Sequence, residues 1–315
     1  MAEPVALLAL ALDAAVGWPA GLYARVGHPV GLFARAINGA EALANRPHYP
    51  PALRRALGLA TMLGLMGALG AGCWWLQGAL AAGLGRRAWL ASALLVWPAL
   101  AQRSLHDHVT PVLRALAQGD LPAARRAVGM IVGRDTAGLD AAGVARAAIE
   151  SLAESFCDGV VAPAFWLVVA GLPGVWVYKL VNTADSLIGH REERWRAFGW
   201  AAARIDDAAN LLPARLGGVL MCLAGRGGWR VMARDARAHA SPNAGWTEAA
   251  MAGALGLRLA GPVCYDGVWH QKPWIGDGRA EATAADIGRA LRVYRAACLL
   301  LWVAAAGAAS VGWGG

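Results

Sequence analysis

Charge is scarce in this sequence. Asp, Glu, Lys and Arg make up 16% of its 315 residues, against roughly 25% in soluble proteins. A soluble domain rarely omits so many ions, whereas a chain in hydrocarbon must, because lipid solvates them badly. Short catalytic signatures are missing too. No Walker A loop, no G-x-S-x-G and no H-E-x-x-H occurs, so any use of a nucleotide has to come without the standard phosphate-binding loop. The five cysteines, at 73, 157, 222, 264 and 298, include no C-x-x-C pair and suggest neither a zinc site nor a disulfide framework. Cys73, Cys222 and Cys298 lie in apolar runs, where cysteine acts as a small hydrophobe, which fits a reducing compartment. Strand-like alternation is scarce, and no long internal repeat is visible.

What is present is apolar sequence in long runs: 57% of the chain is hydrophobic. A spanning helix needs ~20 mostly apolar residues. Residues 56–85 are thirty uncharged positions between Arg54-Arg55 and Arg86-Arg87. Residues 88–102 add fifteen more, which reads as a helical hairpin. The stretch 159–178 holds twenty uncharged residues but carries Pro163 and Pro173, so a broken or re-entrant segment is expected there. Residues 296–315 are a last uncharged twenty. Weaker candidates are 4–20, interrupted by Asp13, and 208–225, interrupted by Arg215. The start has no basic n-region and reads as a retained membrane or interfacial helix.

The expected architecture is therefore an all-α, polytopic membrane protein, one domain over 1–315. The net charge of +8 comes almost entirely from arginine. Five arginines fall in 25–55 and six in 103–158, both read as loops between apolar runs. That is the pattern of cytoplasmic loops, and it excludes the basic stripe with aromatics that nucleic acid requires.

The polar residues that remain are grouped. In "IESLAESFCDGVV" Glu150, Glu154 and Asp158 stand at steps of four, which puts all of them on one face of a helix capped by Asp140. Like charges at that spacing repel. They point either to an exposed acidic face or to a divalent-cation site, since Mg²⁺ takes hard oxygen ligands and bridges phosphates. In "GRDTAGLD" Arg134 is suited to a phosphate or carboxylate, and Asp135 and Thr136 to a turn or a cation. In "YKLVNTADSLIGHR" Lys179, Asn182 and Ser186 share one side of a helix, as do Tyr178, Asn182 and Asp185. Lys179 is equally suited to snorkel at an interface. In "RIDDAANLLPARL" Asp206 and Asn210 are four apart, flanked by Arg204 and Arg215, and a self-neutralising network reads the same residues without function. Ser241 and Asn243 form a turn ahead of a helix that carries Glu248, where small residues at 249–254 permit close packing. A lone histidine at His28-Pro29 reads as structural.

Taken in order, "GRDT", "ESLAESFCDGVVAPAFW", "GLPGVWVYKLVNTADSLIGHR", "FGWAAARIDDAANLLPARL" and "SPNAGWTEAAMAGALGLRLAGPVCY" resemble the CobD/CbiB cobalamin-biosynthesis family across nearly the whole chain. The early "GHPV" fits as well, while Cys157 and Ala164 depart from the pattern. The resemblance implies a multi-pass ligase of the cell inner membrane with its site toward the cytoplasm. Such an adenosylcobinamide-phosphate synthase joins the free propionate of adenosylcobyric acid to aminopropanol or its O-phosphate, with ATP and Mg²⁺. A carboxylate is a poor electrophile, and an acyl phosphate repairs this. On that reading Glu150, Glu154 and Asp158 hold Mg²⁺, and Arg134 and Lys179 clamp phosphoryl oxygens. Asp185 or Asp206 accepts the proton of the attacking ammonium. Asn182 and Asn210 orient groups, and Asp135, Thr136, Ser186, Arg204, Arg215, Ser241 and Asn243 complete the binding set. The expected partners are these substrates, the lipid bilayer and other cobalamin-pathway enzymes. Two rival readings use the same residues: a transporter whose intramembrane carboxylates bind cations, and a membrane scaffold without catalysis.

Overall fold

A computed structural model describes residues 3–265 and 268–312 of the chain. In order it forms α1 (Glu3–Val16), α2 (Ala20–Val26), α3 (Pro29–Ala44), α4 (Pro51–Leu84), α5 (Ala88–Val96), α6 (Gln102–Ala117), α7 (Leu121–Gly129) and α8 (Ala141–Phe156). After a π-helical turn at Cys157–Val161 come α9 (Ala162–Ile188), α10 (Glu193–Arg196), α11 (Trp200–Ala209), α12 (Leu211–Gly225), α13 (Trp229–Asp235) and α14 (Ala244–Leu255). Four short strands, β1 (Leu259–Ala260), β2 (Val263–Tyr265), β3 (Val268–His270) and β4 (Trp274–Ile275), precede α15 (Ala284–Gly312). The chain divides into two compact units, one of Met1–Ala101, Ala162–Asn210 and Ala305–Gly315, the other of Gln102–Val161 and Leu211–Ala304.

The architecture is all-α, and its long helices are built for lipid. Pro51–Ala117, Ala141–Ile188 and Ala284–Gly307 are helical stretches long and apolar enough to cross a membrane. Two bent pairs bring the number to as many as five. In the first unit α4 starts with proline at its first position and ends at Gly85, whose φ of +50° only glycine adopts readily. Trp74 and Trp75 on α4 are 72% and 73% exposed, which water tolerates poorly in a patch and lipid accepts. α5 packs on α1 as well as on α4. α9 is broken at Ala170 and Gly171, where the backbone leaves helical geometry just before Pro173. The amide freed there is satisfied: Leu172 N–H donates to Gln77 Oε1 at 2.9 Å. A side chain at Gly171 would collide with that same glutamine. The broken segment expected at 159–178 is thus present, repaired by protein as hydrocarbon demands. The unit's core joins Ile37, Met62, Leu180, Ile188 and Phe198.

In the second unit α14 is the central element, packed by α12, α13 and α8. Its small residues permit this: a Cβ on Gly253 would stand 2.6 Å from Gly228 Cα. The unit departs from sequence expectation in three places. Of the stretch 103–158 read as a loop, the part ahead of the expected helix at Asp140 is also largely helical, because Val109, Val112 and Ala115 line up as a buried stripe on an otherwise polar α6. Short strands occur where none stood out, pairing Leu259 with Ile275 and Val263 with His270. The helix capped by Asp140, whose Oδ1 accepts from Gly143 N–H at 2.6 Å, gives way to the π turn after Phe156. Cys73, Cys157, Cys222 and Cys298 are buried free thiols; the side chain of Cys264, like residues 313–315, lies outside the described residues.

Candidate active site

In the second unit a cavity of about 150 Å³ gathers the charged groups. α8 contributes Glu150 and Glu154, and the loop ahead of it Arg134. α14 contributes Glu248, the turn before α14 His239, and the segment after the strands Lys272. Glu154 is exposed, while Glu150 and Glu248 are 6% and 4% exposed.

Glu150 is held from both sides. Its Oε2 accepts from the Arg134 guanidinium in a buried ion pair, and its Oε1 accepts from Ala260 N–H at 2.8 Å. Ala260 has φ +58°, a left-handed conformation that costs energy in any residue with a Cβ. The pairing of β1 with β4 fixes this strained backbone, and Gly261 follows with φ +80° against the Trp274 ring. Backbone strain is thus spent on aiming one N–H at Glu150.

Glu248 has a different environment. Burial, first, and then the charges of Glu154 and Glu150 hold its carboxyl well above the usual carboxylate range, partly opposed by Arg134 and Lys272. His239 Nε2 stands 3.7 Å from Glu248 Oε1. Its Nδ1 accepts from Ser241 N–H at 3.0 Å, which assigns the proton of the neutral ring to Nε2, on the Glu248 side. Burial pushes the imidazole below its ordinary value, so the ring is neutral in this position.

Several expected residues serve as supports. Ser241 Oγ accepts from Asn243 N–H at 3.2 Å and Ala244 N–H at 3.3 Å, which caps the start of α14. Asn243 Oδ1 accepts from Arg215 at 2.8 Å, and the Arg215 guanidinium lies 4.6 Å from the Trp246 ring centre. Asp135 is exposed, and Thr136 O closes a turn by accepting from Leu139 N–H at 3.2 Å. None of these lines the cavity. Nor does Asp158, which lies beyond the end of α8 in the π-helical turn Cys157–Val161. Among the described residues no group of three His, Cys, Asp or Glu side chains is placed to hold a metal ion. The set Glu150, Glu154 and Asp158 therefore does not fit a preformed Mg²⁺ site.

The first unit holds the rest of the expected set as a hydrogen-bonded chain. Tyr178 Oη donates to Asn210 Oδ1 at 3.0 Å, and Asn210 Nδ2 donates to Asp206 Oδ2 at 3.0 Å. Asn182 Nδ2 reaches Asp206 Oδ1 at 3.5 Å, and Lys179 Nζ reaches Asn182 Oδ1 at 3.5 Å. Ser186 Oγ donates to Asn182 O at 2.9 Å, and Arg204 pairs with Asp207 at 3.1 Å. Asp185 is half-buried on the same helix, its carboxylate against Gly189.

A family model described as "CobD/Cbib protein" matches residues 6–294. The chain belongs to the CobD/CbiB family. It is 49% identical over 302 residues to a cobalamin biosynthesis protein CobD of Rhodobacter capsulatus, covering 92% of each chain. It is 48% identical to one of a Sinorhizobium species, covering 96% of this chain and 97% of the relative. One of Brucella suis is 45% identical, covering 91% and 90%. No solved structure matches. This membership supports a role in cobalamin biosynthesis, on a membrane protein by its apolar helices.

For this family member the sequence left His239, Lys272 and Ala260 without a role and named Glu248 only as part of a helix. Signals existed. The 29 basic residues include only two lysines, Lys179 and Lys272, and both sit in the polar clusters. Glu248 is the only charged residue in the helix stretch Ala244–Leu255, otherwise Ala, Gly, Met, Leu, Trp and Thr, and a carboxylate in a nearly all-round apolar helix is buried.

Proposed function

We propose that the second unit's cavity carries out an amide-forming ligation: the propionate carboxylate of adenosylcobyric acid with (R)-1-amino-2-propanol or its O-phosphate. The product is adenosylcobinamide or its phosphate. The observation that carries this reading is the meeting, in one water-accessible hollow, of two cations with a buried acid and with Glu150, which the strained Ala260 amide holds in place. Arg134 and Lys272 suit phosphoryl or carboxylate oxygens. The perturbed carboxyl of Glu248 beside them is what proton transfer at an amine needs.

Carboxylate activation is proposed to use ATP as co-substrate, bound without a P-loop. Since the acidic side chains do not converge on a metal, Mg²⁺ is taken to arrive on the nucleotide's phosphates with its own waters, as this ion often does. In the first unit, the Asp206 oxygens both face asparagine amides. Asp206, Asn182 and Lys179 therefore suit the binding and orientation of a polar substrate group better than proton transfer. The site is proposed to face the cytoplasm from the inner membrane, in keeping with the arginine-rich segments. Purified protein in detergent, given adenosylcobyric acid, each amine in turn and Mg-ATP, is expected to form the amide seen by mass spectrometry. A folded sample that forms none would sink the reading in favour of a scaffold; substrate flux across vesicles without product would favour a transporter.

A further inference from the structure

Glu248 belongs neither to the ion pair that fixes Glu150 nor to the cap that starts α14. We infer that Glu248, with His239 beside it, takes the proton that the amine must lose before it attacks. This deepens the ligation reading and rests on it. The carboxyl lines the cavity from a buried helix, so its position is fixed by packing on three other helices. The His239 ring is oriented in turn, because the Ser241 amide occupies Nδ1 and leaves the Nε2 hydrogen toward the carboxyl. Their separation of 3.7 Å is long for a hydrogen bond. Catalytic contacts of this kind tighten when substrate binds, or take a bridging water.

The charged groups facing Glu248 are Glu150 and Glu154 on α8, Arg134 before it, Lys272 after the strands and His239. Burial and the two neighbouring carboxylates raise its pKa. That makes it a stronger base than an ordinary glutamate, matched to work nearer neutral pH. The protons balance. The ammonium carries three, and the amide nitrogen keeps one. The first passes to the Glu248 carboxylate, freeing the nitrogen lone pair. That pair forms the C–N bond as the acyl C–O bond to phosphate breaks. The second proton leaves with the phosphate as HPO₄²⁻. Glu248 then returns its proton to water through the cavity, and His239 stays neutral, donating Nε2–H to the carboxylate while it is charged.

The test is the pH profile of amide formation by the full chain in detergent, for the parent, Glu248→Gln, Glu248→Asp and His239→Gln. Glu248→Gln is expected to lower turnover at neutral pH by about 10²–10⁴-fold. The deficit should shrink as pH rises toward the amine's own pKa, since an amine already neutral needs no base. Glu248→Asp should restore part of the rate, and calorimetric binding of adenosylcobyric acid should hold within a few-fold. A monodisperse Glu248→Gln protein with parental turnover, or with a deficit constant across pH, would overturn the proton role. Should that variant fail to accumulate, an unchanged profile for His239→Gln overturns it equally. If the parent itself makes no amide, the ligation reading and this role fall together. If the parent and Glu248→Gln make it alike, only the role falls.

Discussion

The two units handle polar groups in opposite ways. In the first, the groups on α9 and α11 answer one another in sequence, from Tyr178 through Asn210, Asp206 and Asn182 to Lys179. Each is a short reach from the next, inside helices otherwise made for lipid. A hollow of about 470 Å³ in that unit is lined almost wholly by apolar groups. In the second unit three carboxylates, two cations and a neutral imidazole share a smaller hollow, and one of the acids is buried against the charge of the others. A chain whose members satisfy each other lowers the cost of burying polarity. A cluster of opposed charges keeps energy in reserve, which is where chemistry is found.

The comparison is sharpened most by Glu150→Ala. Arg134 would lose the carboxylate it pairs with, and the strained Ala260 amide its acceptor. Removing one partner of a buried ion pair costs about 3–5 kcal/mol, and turnover should fall by at least ~10²-fold as the cavity loses its fixed charge. Glu150→Gln keeps an acceptor and should cost less, about 1.5–3 kcal/mol. Urea denaturation in detergent, read beside the amide assay, measures both. A Glu150→Ala protein within about 0.5 kcal/mol of the parent, the range of an ordinary surface substitution, would show that the pair is not a fixed part of the site.

Next in size is a trade between stability and pH at Glu248. Its folded pKa is raised. Its contribution to stability is therefore fully present below the unfolded value, ~4.3, and is lost as pH rises through the folded one. Glu248→Gln, which never ionises, should melt higher than the parent at pH 8, with the gap closing toward pH 4. Asp235 gives the opposite sign. The Arg234 guanidinium, at 2.6 and 2.7 Å, holds its carboxyl below the usual range. Its support is present above ~3.9 and lost as pH falls through the folded value. Melting curves of Glu248→Gln and Asp235→Asn that shifted alike with pH would break the distinction between a charge held for function and one held for structure.

How much of this was legible in the sequence follows from which forces are local. Apolar runs announce themselves by composition, so α4 and the broken α9 were readable, the break from Pro163, Pro173 and the glycines. Asp140 was readable as a cap, and Ser241 and Asn243 as the turn ahead of α14, because such bonds stay within three residues. The Glu150–Glu154 pair was readable from its spacing on α8, whereas the π turn that holds Asp158 has no fixed composition to read. Arg134 and Glu150 are sixteen residues apart, and Ala260 is 110 from Glu150. No spacing rule spans such separations. His239 and Lys272 drew no reading from the sequence because their neighbours in space come from α8 and α14.

Packing around α14 offers a smaller test. Gly253→Ala brings a methyl to 2.6 Å from Gly228 Cα and 2.9 Å from Val231 Cβ. Overpacking of this kind costs typically 1–3 kcal/mol. Because Glu248 is carried on the same helix, the variant should also lose turnover beyond what its melting point explains. Turnover that tracks folded fraction alone would mean the cavity tolerates a displaced α14, and its acid would then need no fixed position.

The smallest expected effect is in the first unit, and it is the most direct way to break the contrast. Tyr178→Phe removes the hydroxyl that donates to Asn210. One neutral hydrogen bond is worth about 1 kcal/mol net, and the ring itself stays buried. Turnover should change less than about threefold, in step with the loss of less than about 1.4 kcal/mol that a tenfold effect would need. The deeper member, Asp206→Asn, keeps the shape and turns one acceptor into a donor facing an asparagine amide. It should weaken substrate binding more than the catalytic step, because in this reading the residue orients and does not react. A fall in kcat of a hundredfold or more at saturating substrate, with the fold intact, would move the chemistry into the membrane helices. The second unit's charges would then be a scaffold for it.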